Sequence, residues 1–544
     1  MRKLGIVALG ALALVATALD VSAQITTGNI SGTVRDAQGG VVPGATVILI
    51  DEARGTRLAP ATTDETGTYV FPNVTAATYT VEVTMSGFKT AQRKAVPVSG
   101  GDRVSVPPIT LEVGGQTEAV TVVAESPLVQ AQSGERSFTI TTQQVENLPI
   151  NHGNFTSLIQ LAPGVRDGGA NQNGARMGSA SQDNIMMDGI SAMDTGNNGQ
   201  MLNMNIESIA EVKILTQGYQ AEFGRSSGLQ ITAVSKSGTN RFRGSAYELF
   251  QNSDWNSIRM LNKLNNDPKP KAKSKTLGYS IGGPIGKPGG TNKLFFFYSH
   301  EYVPTSNPIN NGNPIRYRVP TALERAGDFS QTLDNNGALF NFIKDPALTG
   351  ACNATDQTAC FQDGGVLGRI PANRLYSVGL AILNRYPMPN RAQTPGSNYN
   401  YELGGAGGEP LPIVEQLRQQ PAIRLDYQLN AKTRISWTYG GERQRPLLRS
   451  GLIPGFTDVK TPYPYITKYS LTANYILTPT TFLEGTYGFI RNELADGNEG
   501  GVLMNDSANR LKDLAAFPML YPDAGIVPKD SYAYEVLEDI KPPF

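Results

Sequence analysis

Alternation of apolar and polar residues runs through most of this sequence, and its character changes twice along the chain. In residues 25–112 the alternating runs are short. GNISGTVRD (28–36) turns around Ile30, Gly32 and Val34, GATVILID (44–51) is β-branched, and DETGTYVF (64–71) carries Tyr69 and Phe71 beyond a turn at Asp64 and Gly67. TYTVEVTMSGF (78–88) sets Tyr79, Val81, Val83 and Met85 against Thr80, Glu82 and Thr84, and RVSVPPITLEV (103–113) closes the set. A two-residue period puts successive side chains on opposite faces of a strand. The GG and PG pairs between Ala37 and Gly44 are turn signals. Roughly five to seven short strands predict a small β-sandwich here.

From about 114 to 237 the pattern is mixed. EAVTVVAE (118–125) is extended and β-branched. A helix is expected over Thr142 to Asn147, and another from Asn154, as N-cap, through Leu161. Residues 166–205 are rich in Gly, Asn, Gln, Ser and Met. Such a stretch buries too little apolar surface to pack a core, so it predicts loops around the short strand IMMDG (185–189). AEVKILT (210–216) and GLQITAVSKSG (228–238) complete a small mixed α/β unit.

From about 239 onward one pattern repeats. TLGYSIGG (276–283) sets Leu277, Tyr279 and Ile281 against Thr276, Gly278 and Ser280. AIRLDYQL (422–429) sets Ile423, Leu425, Tyr427 and Leu429 against Arg424, Asp426 and Gln428. RISWTYG (434–440), YSLTANYIL (469–477) and TFLEGTYGF (481–489) continue in kind, and RFRGSAYELF (241–250) and KLFFFYSHEYV (293–303) are less regular strands. The pairs 422–429/434–440 and 469–477/481–489 have short connectors and read as hairpins. A soluble antiparallel sheet with one wet face shows the same alternation. Three details favour a membrane barrel: Tyr marks the apolar face, Arg, Asp, Gln, Ser and Thr mark the other, and long loops such as 304–420 alternate with short turns.

Composition narrows the field. Lys plus Arg and Asp plus Glu are each 47, so the net charge is zero, and only 17% of residues are charged. That balance argues against a general nucleic-acid binder, which needs a basic excess or stripe. Only one apolar run approaches spanning length. Arg2 and Lys3 precede the run Leu4 to Leu19, and Val21-Ser22-Ala23 follows as a small-x-small cleavage pattern. Residues 1–23 are therefore expected to be a signal peptide, with the mature chain starting at Gln24. In an exported chain, Cys352 and Cys360 are candidates for a disulfide closing a small polar loop, with free thiols the alternative.

Several runs also resemble known families. GTVRDAQGGVVPGATV, TDETGTYVFPNV and YTVEVTMSGF resemble the carboxypeptidase-regulatory-like domain, a transthyretin-like sandwich; no catalytic residues are seen in this stretch. NLPINHGNFTSLIQLAPGV (147–165), NIMMDGI (184–190), the long run 207–252 and LGYSIGGPIG (277–286) resemble TonB-dependent outer-membrane receptors, in particular the Oar-like branch. Together the resemblances cover most of the chain. They imply a mainly β protein of the bacterial outer membrane: a signal peptide (1–23), a β-sandwich (24–113), a TonB box with a mixed α/β plug domain (114–238), and the first strands of an antiparallel transmembrane β-barrel (239–544). Receptors of this kind have about 22 strands, whereas roughly seven candidates follow residue 239. The last residues, YEVLEDIKPPF, lack the alternation of a closing strand, and Phe544 follows Pro542 and Pro543. The expectation is an N-terminal fragment of a longer protein.

The resemblance assigns the TonB box to Glu118, Ala119, Val120, Thr121 and Val122. An extended segment there can add as a strand to a partner's sheet edge; the alternative is a linker strand or part of the plug sheet. The implied partners are a TonB-type energy-coupling protein, outer-membrane lipid and an unidentified extracellular substrate. Arg225, in the turn FGRSSG (223–228), is a candidate plug–barrel contact or a solvated turn residue, and Asp188-Gly189 reads as a tight turn. His300 is expected at a strand end and His152 in a loop. GGPIGKP (282–288) fails as a phosphate loop because Lys287 precedes Pro rather than Ser or Thr. HExxH and GxSxG do not occur, and neither histidine has a compact ligand cluster beside it. No catalytic residue, metal site or cofactor is expected. The expected function is import of a large solute driven by an inner-membrane proton-motive force; the alternative is a surface adhesion or secretion-associated protein on the same scaffold.

Overall fold

A computed structural model describes residues 27–114, 119–123, 134–147, 183–194, 200–219, 228–264, 266–308, 313–334, 336–384, 386–393, 399–404, 413–445, 447–450, 458–461, 466–478, 481–491, 497–498 and 502–503, with single positions at 158, 159, 161–163, 165 and 411. The expected signal peptide, Glu118, His152, Asn154 and Arg225 lie outside the described residues.

The first unit is a sandwich of β1 (Thr27–Asp36), β2 (Thr46–Asp51), β3 (Ala61–Thr62), β4 (Thr68–Thr75), β5 (Ala77–Thr84), β6 (Thr90–Val98) and β7 (Arg103–Leu111). One sheet has the order β4-β1-β7 and the other β3-β2-β5-β6, extended by β8 (Ala119–Val123). The alternation seen in sequence decides what is inside. Ile30, Val34, Val47, Leu49, Tyr69, Phe71, Tyr79, Val81 and Val83 interlock between the sheets. Each such side chain contributes about 1.5–3 kcal/mol when fully buried.

The second unit, the one expected from sequence to be the plug and called so below, consists of β9 (Arg136–Ile140), α1 (Thr142–Asn147), β10 (Asn184–Met187), β11 (Ile190–Ser191), β12 (Ile209–Gln217) and β13 (Gln230–Ser235), with sheet order β11-β10-β13-β12-β9. Its core is Ile140, Val145, Ile185, Met187, Ile206, Val212, Ile214 and Ile231, and Ala422 from the next unit joins it. β10 and β13 run parallel within the sheet, and β10 is buried along its whole length, as a strand covered on both faces must be.

The wall begins with β14 (Arg243–Asn252), α2 (Met260–Leu264), β15 (Lys273–Pro284) and β16 (Leu294–Pro308). An outer lobe follows, in which β17 (Ile315–Tyr317) pairs with β20 (Tyr401–Leu403) and β18 (Gln362–Asp363) with β19 (Val366–Leu367), alongside α3 (Ala322–Arg325) and α4 (Ser377–Leu383). The wall resumes with β21 (Ile413–Asn430), β22 (Thr433–Arg445), the ribbon β23 (Leu447–Ser450) with β24 (Asp458–Thr461), β25 (Ile466–Thr478) and β26 (Thr481–Arg491); a further pair, β27 (Gly497–Asn498) and β28 (Val502–Leu503), lies beyond. Seven strands, β14-β15-β16-β21-β22-β25-β26, form one antiparallel sheet whose end strands do not pair with each other.

Register divides this sheet into two faces. Tyr298↔Ile423↔Tyr439↔Tyr469↔Phe489 is one outward row. Glu301↔Gln420 and Phe297↔Arg424↔Thr438↔Ser470 lie on the inward face, toward the plug. His300 is therefore not at a strand end. It sits mid-strand on the outward face, stacked on Tyr302 at 4.1 Å between ring centroids, with Nδ1 2.9 Å from the Tyr298 hydroxyl. β21 runs 18 residues, well beyond the apolar alternation at 422–429, because the ladder to β16 continues through polar residues as far as Pro308↔Ile413.

The connectors 285–293 and 431–432 are at the sandwich end, where the Ala59 N–H donates to the Ala431 carbonyl at 3.2 Å. The connector 253–272, the described part of the outer lobe and the ribbon β23–β24 are at the opposite end. The outer lobe there is internally tied. Thr321 and Glu324 form a capping box on α3, Glu324 also accepts from Arg318 (3.1 Å) and Thr332 (2.6 Å), and Cys352 is disulfide-bonded to Cys360.

Candidate functional site

The face between plug and wall is where polar chemistry concentrates. β10 and β11 are joined by Asp188-Gly189, both at positive φ (47° and 81°). Two consecutive left-handed residues make the turn type that matches strand twist, and Asp and Gly are among the residues that tolerate it. The turn thrusts the Asp188 carboxylate toward the wall. It accepts from the Ser235 N–H (2.8 Å) and Ser235 Oγ (2.6 Å), which hold it in place, and from Lys468 Nζ on β25. The Lys468 side chain is fully buried, and Arg424 on β21 approaches Asp188 to 4.0 Å. Burial alone would raise the Asp188 carboxyl, but the Lys468 and Arg424 charges outweigh it and hold the group down at about 2.

Charges alternate from there. Arg424 donates to the Ser235 carbonyl (2.8 Å) and to both oxygens of Asp426 (3.0–3.2 Å). Asp426 also accepts from Ser237 Oγ of the plug exit and faces Arg54 of the sandwich at 3.4 Å. Lys468, Asp188, Arg424, Asp426 and Arg54 thus form one ionic chain through wall, plug and sandwich. The backbone must come close for this to work. A Cβ on Gly238 would stand 2.3 Å from the Phe296 carbonyl oxygen, so the exit of the plug can lie against the wall only as glycine.

A second set of contacts is made mostly of hydrogen bonds. Asn205 caps the short turn 206–208 through its Oδ1 (2.8 Å to Ser208 N) and donates through Nδ2 to the Gln420 carbonyl at 2.8 Å. Gln420 returns a bond to the Asn203 carbonyl at 2.9 Å, and Glu207 takes Lys236 (3.2 Å) and Ser245 Oγ (2.9 Å). The sandwich joins the plug separately: Glu211 accepts from Ser99 Oγ (2.8 Å) and the Gly100 N–H (3.2 Å), and Lys213 pairs with Asp102 at 2.9 Å. Burial pushes the Glu211 carboxyl up despite those donors.

The residues singled out from sequence fare differently. Ala119 to Val122 lie in β8, which pairs in parallel with β6 (Ala91↔Val120, Gln92↔Thr121, Arg93↔Val122) as the last strand of the sandwich sheet. That run is thus a strand of the sandwich rather than of the plug sheet. Asp188-Gly189 is a tight turn as expected, and its acid is also the clasp to the wall. Asp188, Lys468 and Asp426 were not legible as partners. The available signal was charge on inward-facing positions of alternating strands, which Arg424 and Asp426 display in AIRLDYQL. Among the described residues, no group of three or more His, Cys, Asp or Glu is placed to hold a metal ion.

Comparison with known proteins gives family matches for the wall and for the sandwich. The family described as "Outer membrane beta barrel domain" matches residues 234–526, and "Carboxypeptidase regulatory-like domain" matches residues 29–112. The TonB-dependent transporter Oar of Myxococcus xanthus is 26% identical over 383 residues, covering 63% of this chain and 34% of that protein. The chain therefore spans about a third of the length of this curated relative. Among solved structures, the siderophore receptor PirA of Pseudomonas aeruginosa is similar over 66% of this chain and 41% of its own, at 13% identity and a TM-score of 0.34. The outer membrane transporter YddB of Escherichia coli is similar over 65% and 38%, at 13% identity and a TM-score of 0.37.

Proposed function

Because the chain belongs to the outer-membrane β-barrel domain family, matched over more than half its length, we propose that it is the sandwich, plug and leading wall of a TonB-dependent importer of a large solute. The outward face of its wall meets lipid, and its homologue is a transporter, not an enzyme. The reading rests above all on how the plug is held. Its own core is apolar and touches the wall at Ala422, Ile466 and Ile490, but the rest of its hold on the wall is made of ion pairs and hydrogen bonds. Such bonds can be exchanged for bonds to water when the surfaces part, so their net contribution is small compared with their number. A plug held largely this way gives up only that limited apolar contact when it leaves the wall.

The force would enter at β8. Its strand order leaves one edge paired to β6 and the other facing away from the sheet. A TonB-type partner adding there as a further strand would gain main-chain hydrogen bonds with little demand on side chains. Because β6 belongs to the sandwich and Arg54 links the sandwich to Asp426, a pull on β8 would load the same ionic chain that clasps Asp188.

The test needs no known substrate. A cysteine at Ser235, buried between plug and wall, should react with an external maleimide in energised cells and not after proton uncoupling. Val120→Pro, which removes a ladder donor, should abolish the energised labelling without changing outer-membrane insertion. Labelling that ignores both the uncoupler and Val120→Pro would reject the coupled-plug reading and favour a static surface protein.

A further inference from the structure

We propose that the β14–β15 hairpin, at the end of the wall opposite the sandwich, binds the phosphate-bearing headgroup of an outer-leaflet glycolipid. The register places the groups. Ala246↔Tyr279, Glu248↔Leu277, Phe250↔Lys275 and Asn252↔Lys273 share one face of the sheet. It is the outward face, because Tyr279 and Ile281 on it are 40% and 45% exposed while Ser280, between them, turns inward to Glu207 of the plug. Lys273 and Lys275 therefore sit at the outer end of the lipid-facing surface, beside Phe250.

The loop above them adds apolar anchors. Trp255 packs on Phe250 with ring centroids 5.6 Å apart and is 71% exposed. On and beside α2, Met260, Leu261 and Leu264 are all exposed. A loop surrounded by water has no use for four large bare apolar side chains in one short segment. Charge completes the site. Between residues 253 and 275 the cations Arg259, Lys263, Lys269, Lys271, Lys273 and Lys275 oppose only Asp254 and Asp267, in a chain of zero net charge. Asp267 is buried and taken by Arg316 at 2.6 Å, and Glu248 offsets Lys275 at 2.7 Å. That leaves Arg259, Lys263, Lys271 and Lys273 exposed.

Aromatic rings at the level of the headgroups, with cations just beyond the hydrocarbon, match an anionic lipid surface. A free anion would need the lysines but not the rings. The hairpin is also held in position: the Ser253 N–H donates to the Ala272 carbonyl (2.9 Å), Ser253 Oγ accepts from the Ala272 N–H (2.8 Å), and Lys269 Nζ donates to the Asp254 carbonyl (3.0 Å). A site already ordered loses less freedom when it binds. The inference depends on membrane placement alone and not on transport.

The experiment uses the full-length protein in non-ionic detergent, with an environment-sensitive dye on a cysteine at the exposed Asn256. Vesicles of phosphatidylcholine containing bisphosphorylated lipid A should shift the dye to the blue. Dephosphorylated lipid A in the same vesicles should bind at least about tenfold more weakly, as one lost bidentate or two lost simple charge contacts would give. The triple variant Lys271→Gln, Lys273→Gln, Lys275→Gln should show the same loss, and its heat-modifiable gel mobility should be unchanged. Millimolar inorganic phosphate should not displace the vesicles. Equal binding to dephosphorylated lipid A, full binding by the triple variant, or displacement by inorganic phosphate would each overturn the proposal, the last by revealing a site for a soluble anion.

Discussion

The sandwich interior and the plug–wall interface solve opposite problems. Between the sandwich sheets, Val47, Leu49, Tyr79, Val81 and their neighbours form a continuous apolar cluster. Between plug and wall, Asp188, Lys468, Arg424, Asp426, Asn205 and Gln420 meet through charge and hydrogen bonds. An apolar contact is non-directional and costs free energy for every Å² exposed when it opens. A polar contact is demanding in geometry but is replaced by water when it opens. The first suits a domain that stays folded, and the second suits a joint that parts.

The largest effect that would sharpen this contrast comes from Asp188→Leu. Lys468 would stay buried beside Arg424 without its counter-charge, at a cost of about 3–5 kcal/mol. Proteolysis of the plug in the purified protein should accelerate accordingly. The double variant Asp188→Leu, Lys468→Met should recover most of that loss, because an apolar pair of similar volume is often as stable as a buried ion pair. A double variant as weak as the single would show that the pair itself holds the plug.

Next comes Leu49→Ala, expected to destabilise the sandwich by about 2–5 kcal/mol through lost burial and a residual cavity. Thermal unfolding should register it while plug proteolysis stays unchanged; if both moved together, the two regions would be one cooperative unit. Acidity separates the joints by sign. Asp188 is held at about 2, below its unfolded value of about 3.9. Its stabilising contribution is therefore full above that unfolded value and is lost as pH falls toward 2. Glu211 is raised by burial, so its contribution is full below the ordinary carboxylate range and is lost as pH rises through the raised value. Mild acidification should first tighten the sandwich–plug joint and only later loosen the plug–wall clasp. Hydrogen exchange across β12 and across the 188–189 turn, corrected for intrinsic rate, would show it, and Glu211→Gln should abolish the first change alone. The smallest effect is Thr321→Ala. Loss of the capping box on α3 costs about 1 kcal/mol, confined to the outer lobe.

Much of the architecture was legible because strand alternation is local. The faces assigned to AIRLDYQL and YSLTANYIL are those found in β21 and β25, and the helix expected at Thr142 to Asn147 is α1. Where local signals were thin, the reading fell short. His300 shows no difference in sequence between a strand end and a strand middle, since Tyr flanks it in both cases; only the ladder from Leu294 to Pro308 places it centrally. EAVTVVAE reads as extended whatever it pairs with, so its docking on β6 depended on where the chain doubles back.

The sequence by itself determined which wall residues share a face, because a period of two needs no partner to be read. It also determined that the turn at Asp188-Gly189 would be tight, because left-handed backbone favours those residue types. Only the tertiary structure decided that the acid in this turn would meet Lys468, 280 positions away. That contact depends on the register of β25 in the wall and on how the plug seats against it. Both are set by many weak long-range contacts together, and no short stretch of sequence carries them.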